Sequence, residues 1–156
     1  MPKHRRHDAA AELRRRQAEV SIATFLDTVR RWGAERSDIV GIALVGSHAR
    51  GTSRPDSDID LVILSECPEK LLDEDWPPRF GGVASSAIEE YGALTSRRVF
   101  YENGLEVEFG IAGPEWASIP LDAGTRTVLA DGVKVLYDPQ RLLRDANDAA
   151  AEAVPW

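Results

Sequence analysis

Two aspartates one residue apart, Asp58 and Asp60, open an apolar run from Leu61 to Leu64. A strand does not readily carry two carboxylates into a core. Alternate residues of a strand share a face, so the pair points the same way, roughly 6.5–7 Å apart at Cα. Like charges that close repel unless a cation lies between them. Hard carboxylate oxygens suit Mg²⁺, which keeps its other positions for water and substrate phosphates. Just upstream, a second apolar run (Ile42 to Val45) ends in Gly46-Ser47, and a polar turn closed by Gly51 and Pro55 joins the two. A glycine ahead of a helix start lets backbone N–H groups approach a phosphate closely. Residues 42–64 therefore read as a metal–phosphate site at the mouth of a sheet.

The order Gly46-Ser47, ten residues, Asp58-x-Asp60 resembles the signature of the nucleotidyltransferase superfamily, whose fold is shared with DNA polymerase beta. The local form Gly-Ser-x-Ala-Arg-Gly…Ser-Asp-Ile-Asp-Leu is similar to small bacterial members, among them antibiotic adenylyltransferases and minimal nucleotidyltransferase antitoxins. The resemblance implies an α/β (α+β) fold: a mixed central sheet of about four to six strands with flanking helices. It implies that Gly46 and Ser47, with Ser57 beside the aspartates, hold the phosphates of a nucleoside triphosphate, most simply ATP. It implies one or two Mg²⁺ ions on Asp58, Asp60 and a third carboxylate from a neighbouring strand. Arg50 either neutralises phosphate charge or pairs with an acid of its own loop. His48 has no assigned role.

The third carboxylate is expected in residues 97–112, which read as a β-hairpin. Asn103-Gly104 is a strong turn signal. Taken as a two-residue loop, it pairs Tyr101 with Glu106, Val99 with Glu108 and Arg97 with Gly110. Cross-strand partners share a face. Leu105, Val107, Phe109 and Ile111 then face the core, while Glu106, Glu108, Tyr101 and Arg97 face the other way. The triplet Val107-Glu108-Phe109 best matches the superfamily's Val-Asp-Leu type, so Glu108 is the candidate and Glu106 the second choice. The family more often has aspartate here. One methylene longer, a glutamate could reach an acceptor hydroxyl as general base. Arg97 either touches a phosphate or pairs with Glu106.

These parts need a scaffold. From about Ala10 to Trp32 the residues Leu13, Val20, Phe25, Leu26, Val29 and Trp32 recur at helical steps, and Gly33 is a plausible stop. Ile39–Val45 is almost unbroken apolar, as in a strand covered on both faces. Ser47 is placed to cap a short helix that Gly51 ends. Pro68 begins another short helix. Val83–Tyr91 reads as a modest helix stopped by Gly92. Trp76, Phe80 and Tyr91 in this insertion line an acceptor pocket or simply pack. Pro114–Pro120 is a loop, Thr125–Ala130 a short strand or helix, and Gly132–Tyr137 a last strand. Asp138-Pro139 caps and starts a final helix running to about Ala153.

With 156 residues the chain is long enough for a core of its own. The expected division is a basic, frayed arm over residues 1–9 and a single domain over 10–156. The net charge of −7 argues against a general nucleic-acid binder. The basic residues Lys3, Arg5, Arg6, Arg14, Arg15 and Arg16 crowd the start. That arm is a solubilising terminus or a contact for RNA or an acidic partner. Cys67 is alone, and nothing resembles a membrane span or signal peptide, so a reducing cytoplasm is the expected home.

The reaction the resemblance implies moves an NMP, as AMP from ATP, to a hydroxyl of a small molecule such as an aminoglycoside-like antibiotic, with pyrophosphate leaving. The alternative is an antitoxin-type enzyme that adenylylates a partner protein. Little chain remains for an added helical domain, so a second copy of the chain, as a homodimer, or a docked protein could complete the acceptor site. A nucleotide-binding module without turnover is the third reading. Three costly carboxylates argue against it, since an idle site has no need of them.

Overall fold

The computed structural model describes residues 3–54, 56–91 and 94–152. Its order is α1 (Lys3–Glu35), β1 (Ile39–Val45), α2 (Ser47–Arg50), β2 (Ile59–Ser65), α3 (Pro68–Asp73), β3 (Val83–Tyr91), β4 (Leu94–Tyr101), β5 (Glu106–Ala112), α4 (Ala123–Ala130), β6 (Val133–Tyr137) and α5 (Leu142–Ala151). Among the described residues, six strands form one sheet in the order β3-β4-β5-β2-β1-β6. Only the central pair β2–β5 is parallel, and the other neighbours are antiparallel. The expected mixed sheet with flanking helices is therefore present.

Two apolar layers explain why β1 and β2 lack alternation. Every residue of β1 is buried. One sheet face (Ile42, Leu44, Leu61, Ile63, Phe109) packs on Phe25, Val29 and Trp32 of α1 and on Leu71 and Trp76. The other (Ala43, Val45, Val62, Leu64) packs on Trp116, Leu129 of α4 and Leu143 and Ala146 of α5. Trp76 stacks on Trp32 at 4.9 Å and meets the Phe109 ring edge-on at 4.8 Å. These rings are core on the sheet face away from the aspartates. Trp76 and Phe80 pack there rather than line an acceptor pocket, and the Tyr91 side chain lies outside the described residues.

Several local expectations are corrected. The helix α1 starts at Lys3 rather than near Ala10, and it runs through Gly33 to Glu35. Gly33 is no stop. A Cβ there would strike Ile42 Cδ1, so the glycine lets the helix lie close on β1. Leu13 is 58% exposed, and among the described side chains of α1 those that pack on the core lie from Ile22 onward. Val83–Tyr91 is not a helix but an edge strand, hydrogen-bonded to β4 along its length. Its serines, alanines and glutamates carry little strand propensity, and pairing with β4 overrides that weak local preference. Residues 125–130 resolve as part of α4, whose Asp122 accepts a hydrogen bond from Gly124 N–H at 3.0 Å. The last helix begins at Leu142, not at Pro139. Asp138 still caps it, accepting from the N–H groups of Leu143 and Arg144 at 3.0 and 2.9 Å. No helix among the described residues is long and apolar enough to cross a membrane.

Candidate active site

The β1–α2 turn is built on Gly46. Its φ of 74° and ψ of −157° are open to glycine and hard for other residues. A Cβ on Gly46 would collide with Asp60 Oδ2, so the turn lies directly against the carboxylate. The Gly46 carbonyl, not a Ser47 side chain, starts the helix, accepting from Ala49 and Arg50 N–H at 3.1 Å each. Ser47 is thus the first helical residue rather than the cap. Helix geometry leaves the opening amides of such a turn without an intrahelical partner. Gly51, with φ 76°, ends the turn in the left-handed region, as its position in the sequence suggests.

The loop back to β2 is held by its own polar groups. Ser57 Oγ accepts from Arg54 N–H at 2.7 Å, and His48 Nε2 lies 3.3 Å from the Ser57 carbonyl oxygen. His48, read from sequence as having no role, sits as a strut beside Asp58. Asp58 precedes β2, and Asp60 is its second residue.

A row of paired residues then crosses the sheet: Val45 on β1, Asp60 on β2, Glu108 on β5, Arg98 on β4 and Ala87 on β3. Parallel pairing of Asp60 with Glu108 puts the two carboxylates side by side. One oxygen each from Asp58, Asp60 and Glu108 lie within 4.8 Å of one another. Burial, reinforced by the negative charges of Asp58 and Glu108, pushes the Asp60 carboxyl up to about 7. Hard oxygen donors this close, with one carboxyl driven toward its protonated form, are what a divalent cation would relieve. The donor set therefore fits Mg²⁺. Ser96 donates to Glu108 Oε1 at 3.0 Å.

The hairpin register differs from the expected one by one residue. Phe100 pairs with Glu106, Val99 with Val107, Arg98 with Glu108 and Arg97 with Phe109. The loop holds three residues, not two: Tyr101 N–H donates to the Leu105 carbonyl, and Gly104 has φ 93°. Asn-Gly serves either loop, and the three-residue form has a glycine in the left-handed bulge. The slip reverses which β4 side chains meet the site. Arg98 faces Glu108 at 3.3 Å and Glu106 at 3.4 Å. Arg97 turns to the opposite face, donating to the Leu71 and Glu74 carbonyls at 2.9 and 2.7 Å, with its guanidinium over Trp76. Arg97 is therefore removed from the phosphate site, and Tyr101 is likewise core, its hydroxyl donating to the Pro77 carbonyl at 2.9 Å. Glu106 is held by Arg98 and lies outside the group of three carboxylates that could hold an ion.

A pocket of about 320 Å³ opens beside the carboxylates. Gly46, Arg50, Asp60, Ser96, Glu108 and Asp131 supply its polar wall, and Val45, Val62, Leu94 and Val128 its apolar wall. Arg50 has no ion pair to an acid of its loop among the described residues and lines the pocket. Gly110 belongs to the same wall. A Cβ there would come within 3.3 Å of the Leu61 carbonyl oxygen. The apolar wall, assembled from four separate elements, left no local pattern by which the sequence could show it.

The sequence pattern of the nucleotidyltransferase domain matches residues 22–112, more than half of the chain, from the packed part of α1 to the end of β5. The chain belongs to the nucleotidyltransferase family. The match spans Gly46, Asp58, Asp60 and Glu108 together, and a nucleotidyltransferase is an enzyme that moves a nucleoside monophosphate to an acceptor. Among solved structures, an aminoglycoside 6-adenyltransferase from Bacillus subtilis is similar over 60% of this chain, at 16% identity and a TM-score of 0.49. The nucleotidyltransferase described here covers 35% of that neighbour's length. No curated protein shows significant similarity to the chain.

Proposed function

We propose that this nucleotidyltransferase is Mg²⁺-dependent and transfers AMP from ATP to a hydroxyl of a small molecule, releasing pyrophosphate. The observation that carries this reading is the convergence of Asp58, Asp60 and Glu108 within 4.8 Å, beside the glycine turn. Asp58 and Asp60 would hold the metal, which when bound supplies charge neutralisation at the α-phosphate and the leaving pyrophosphate. The α2 turn after Gly46, with Ser47 and the neighbouring Ser57, would seat the triphosphate, and Arg50 would meet its charge from the pocket wall. Glu108, fixed by Ser96, would take the proton of the acceptor hydroxyl. The acceptor oxygen bonds to the α-phosphorus as the bond to the β-phosphate oxygen breaks, so no covalent enzyme intermediate forms. The half-apolar pocket next to Glu108 suits a small acceptor. The residues act within the single domain 10–156, in a reducing cytoplasm.

A protein acceptor has one observation in its favour. Phe100, 40% exposed, stands on the same sheet face as Glu108, where a docking partner could cover it. Radiolabelled ATP and Mg²⁺, offered with a panel of hydroxylated antibiotics and with a cell lysate, separates the two. Label on a small molecule supports the proposal, and label on a lysate protein alone replaces it with the second reading. Pyrophosphate release that persists in a folded Asp58→Asn, Asp60→Asn double variant would remove the site from the reaction altogether.

A further inference from the structure

We infer that Gly132, at the corner between α4 and β6, is a positioning residue for Arg50: it leaves the room in which the arginine stem lies, and so aims the guanidinium into the pocket. This rests on the reading above, in which Arg50 meets the charge of the triphosphate. The corner lies beyond residue 112, where the family pattern ends. The nucleotide site thereby extends into a part of the chain that the pattern does not cover.

The sheet brings the two residues together. Val45 pairs with Val133, so the residue before β6 stands beside the turn that follows β1. Asp131 and Arg50 line the same pocket. A Cβ on Gly132 would come within 2.9 Å of Arg50 Cγ. That is well inside the roughly 3.5–4.0 Å of a good carbon–carbon contact. Arg50 N and Cα would stay at 3.6 and 3.7 Å, so only the stem is in the way. Turning the side chain about χ1 to another staggered position relieves the contact. Cγ begins the stem, and the turn therefore swings the guanidinium at its far end by several ångströms. Among the described residues no ion pair holds that far end, so the seat of the stem sets its direction. Gly132 also has φ 122°, which most side chains avoid. A substitution there brings backbone strain as well as the contact, and the two have to be separated.

A double-mutant cycle on the whole chain separates them, read as the Kd for ATP by calorimetry with Mg²⁺ present. Gly132→Ala is expected to weaken ATP binding about tenfold, the scale of one lost hydrogen bond to a charged group. Arg50→Ala, which removes Cγ, should weaken it at least as much. The strain at residue 132 is present in both backgrounds, so a cost that persists without the stem belongs to strain, and one that disappears belongs to the stem. In Arg50→Ala, adding Gly132→Ala is expected to cost nothing further. An equal penalty in both backgrounds overturns the inference and leaves Arg50 at the phosphates, as does native affinity in a folded Gly132→Ala protein. Native affinity in Arg50→Ala, or no ATP bound by the native chain, removes the nucleotide reading and the inference with it. If Gly132→Ala does not fold, the native protein decides. Nuclear magnetic relaxation of Arg50 Nε–H without nucleotide should report a side chain as rigid as the backbone, and a freely turning one overturns the inference.

Discussion

Gly46 is where backbone conformation and chemistry meet. Its positive φ bars most side chains, and the space where a Cβ would sit is filled by Asp60 Oδ2. Gly46→Ala should leave the sheet intact yet push the turn off the carboxylate. Displacement of this size in an active site costs about 10²-fold in turnover. A Gly46→Ala enzyme with native kcat in a pyrophosphate-release assay would contradict the role given to the turn. Arg97 carries a different expectation. Its two bonds to the Leu71 and Glu74 carbonyls tie α3 to β4, and burial lowers the proton affinity of its guanidinium. Arg97→Met should destabilise the fold by about 1–3 kcal/mol in urea unfolding. Nucleotide affinity should be unchanged, and a large rise in the Kd for ATP would place Arg97 at the phosphates after all.

At the scale of elements, a single loop residue separates the expected hairpin from the observed one. Asn103-Gly104 correctly marks the turn, but the same dipeptide closes loops of two or three residues. That choice decides whether Arg97 or Arg98 faces Glu108. It leaves Glu108 itself in place, because its alternation with Val107 and Phe109 follows from β5 alone. The edge strand β3 was illegible for the opposite reason. Its residues have weak preferences, both its faces are mostly exposed, and β4 supplies the pairing. The C-terminal helix offers a direct test. Asp138 is buried and caps α5 through two backbone amides. Asp138→Ala should cost about 1 kcal/mol, within a range of about 0.5–2 kcal/mol, and lower the thermal midpoint without altering turnover. Loss of turnover at full stability would point to a role in the site instead.

For the whole molecule, the charge cluster couples folding to pH. Asp60 has a folded value of about 7 against an ordinary 3.8, raised by burial and by its carboxylate neighbours. The folded chain therefore keeps a proton that the unfolded chain releases. Metal-free stability should fall as pH rises from about 4 to about 7 and level off above. Excess Mg²⁺ at pH 8 should recover it, since an ion bound only by the folded state stabilises that state. Thermal unfolding at pH 5 and pH 8, with and without Mg²⁺, measures both effects. The pH-dependent component should vanish in Asp60→Asn. An identical slope in that variant would assign the effect to other groups.

The order of residues alone determined the turn–strand unit from Gly46 to Leu64 and the doubly covered β1, and the superfamily resemblance added Glu108, ahead of Glu106, as the candidate third carboxylate. Each is written in a short window, through alternation, a glycine where the backbone needs one, or charges too close to be idle. Folding alone decided the rest: parallel pairing of β2 with β5, the slip that brings Arg98 to the site, and the apolar wall from Val45, Val62, Leu94 and Val128. These depend on which distant segments become neighbours, a choice made by burial summed over the whole sheet.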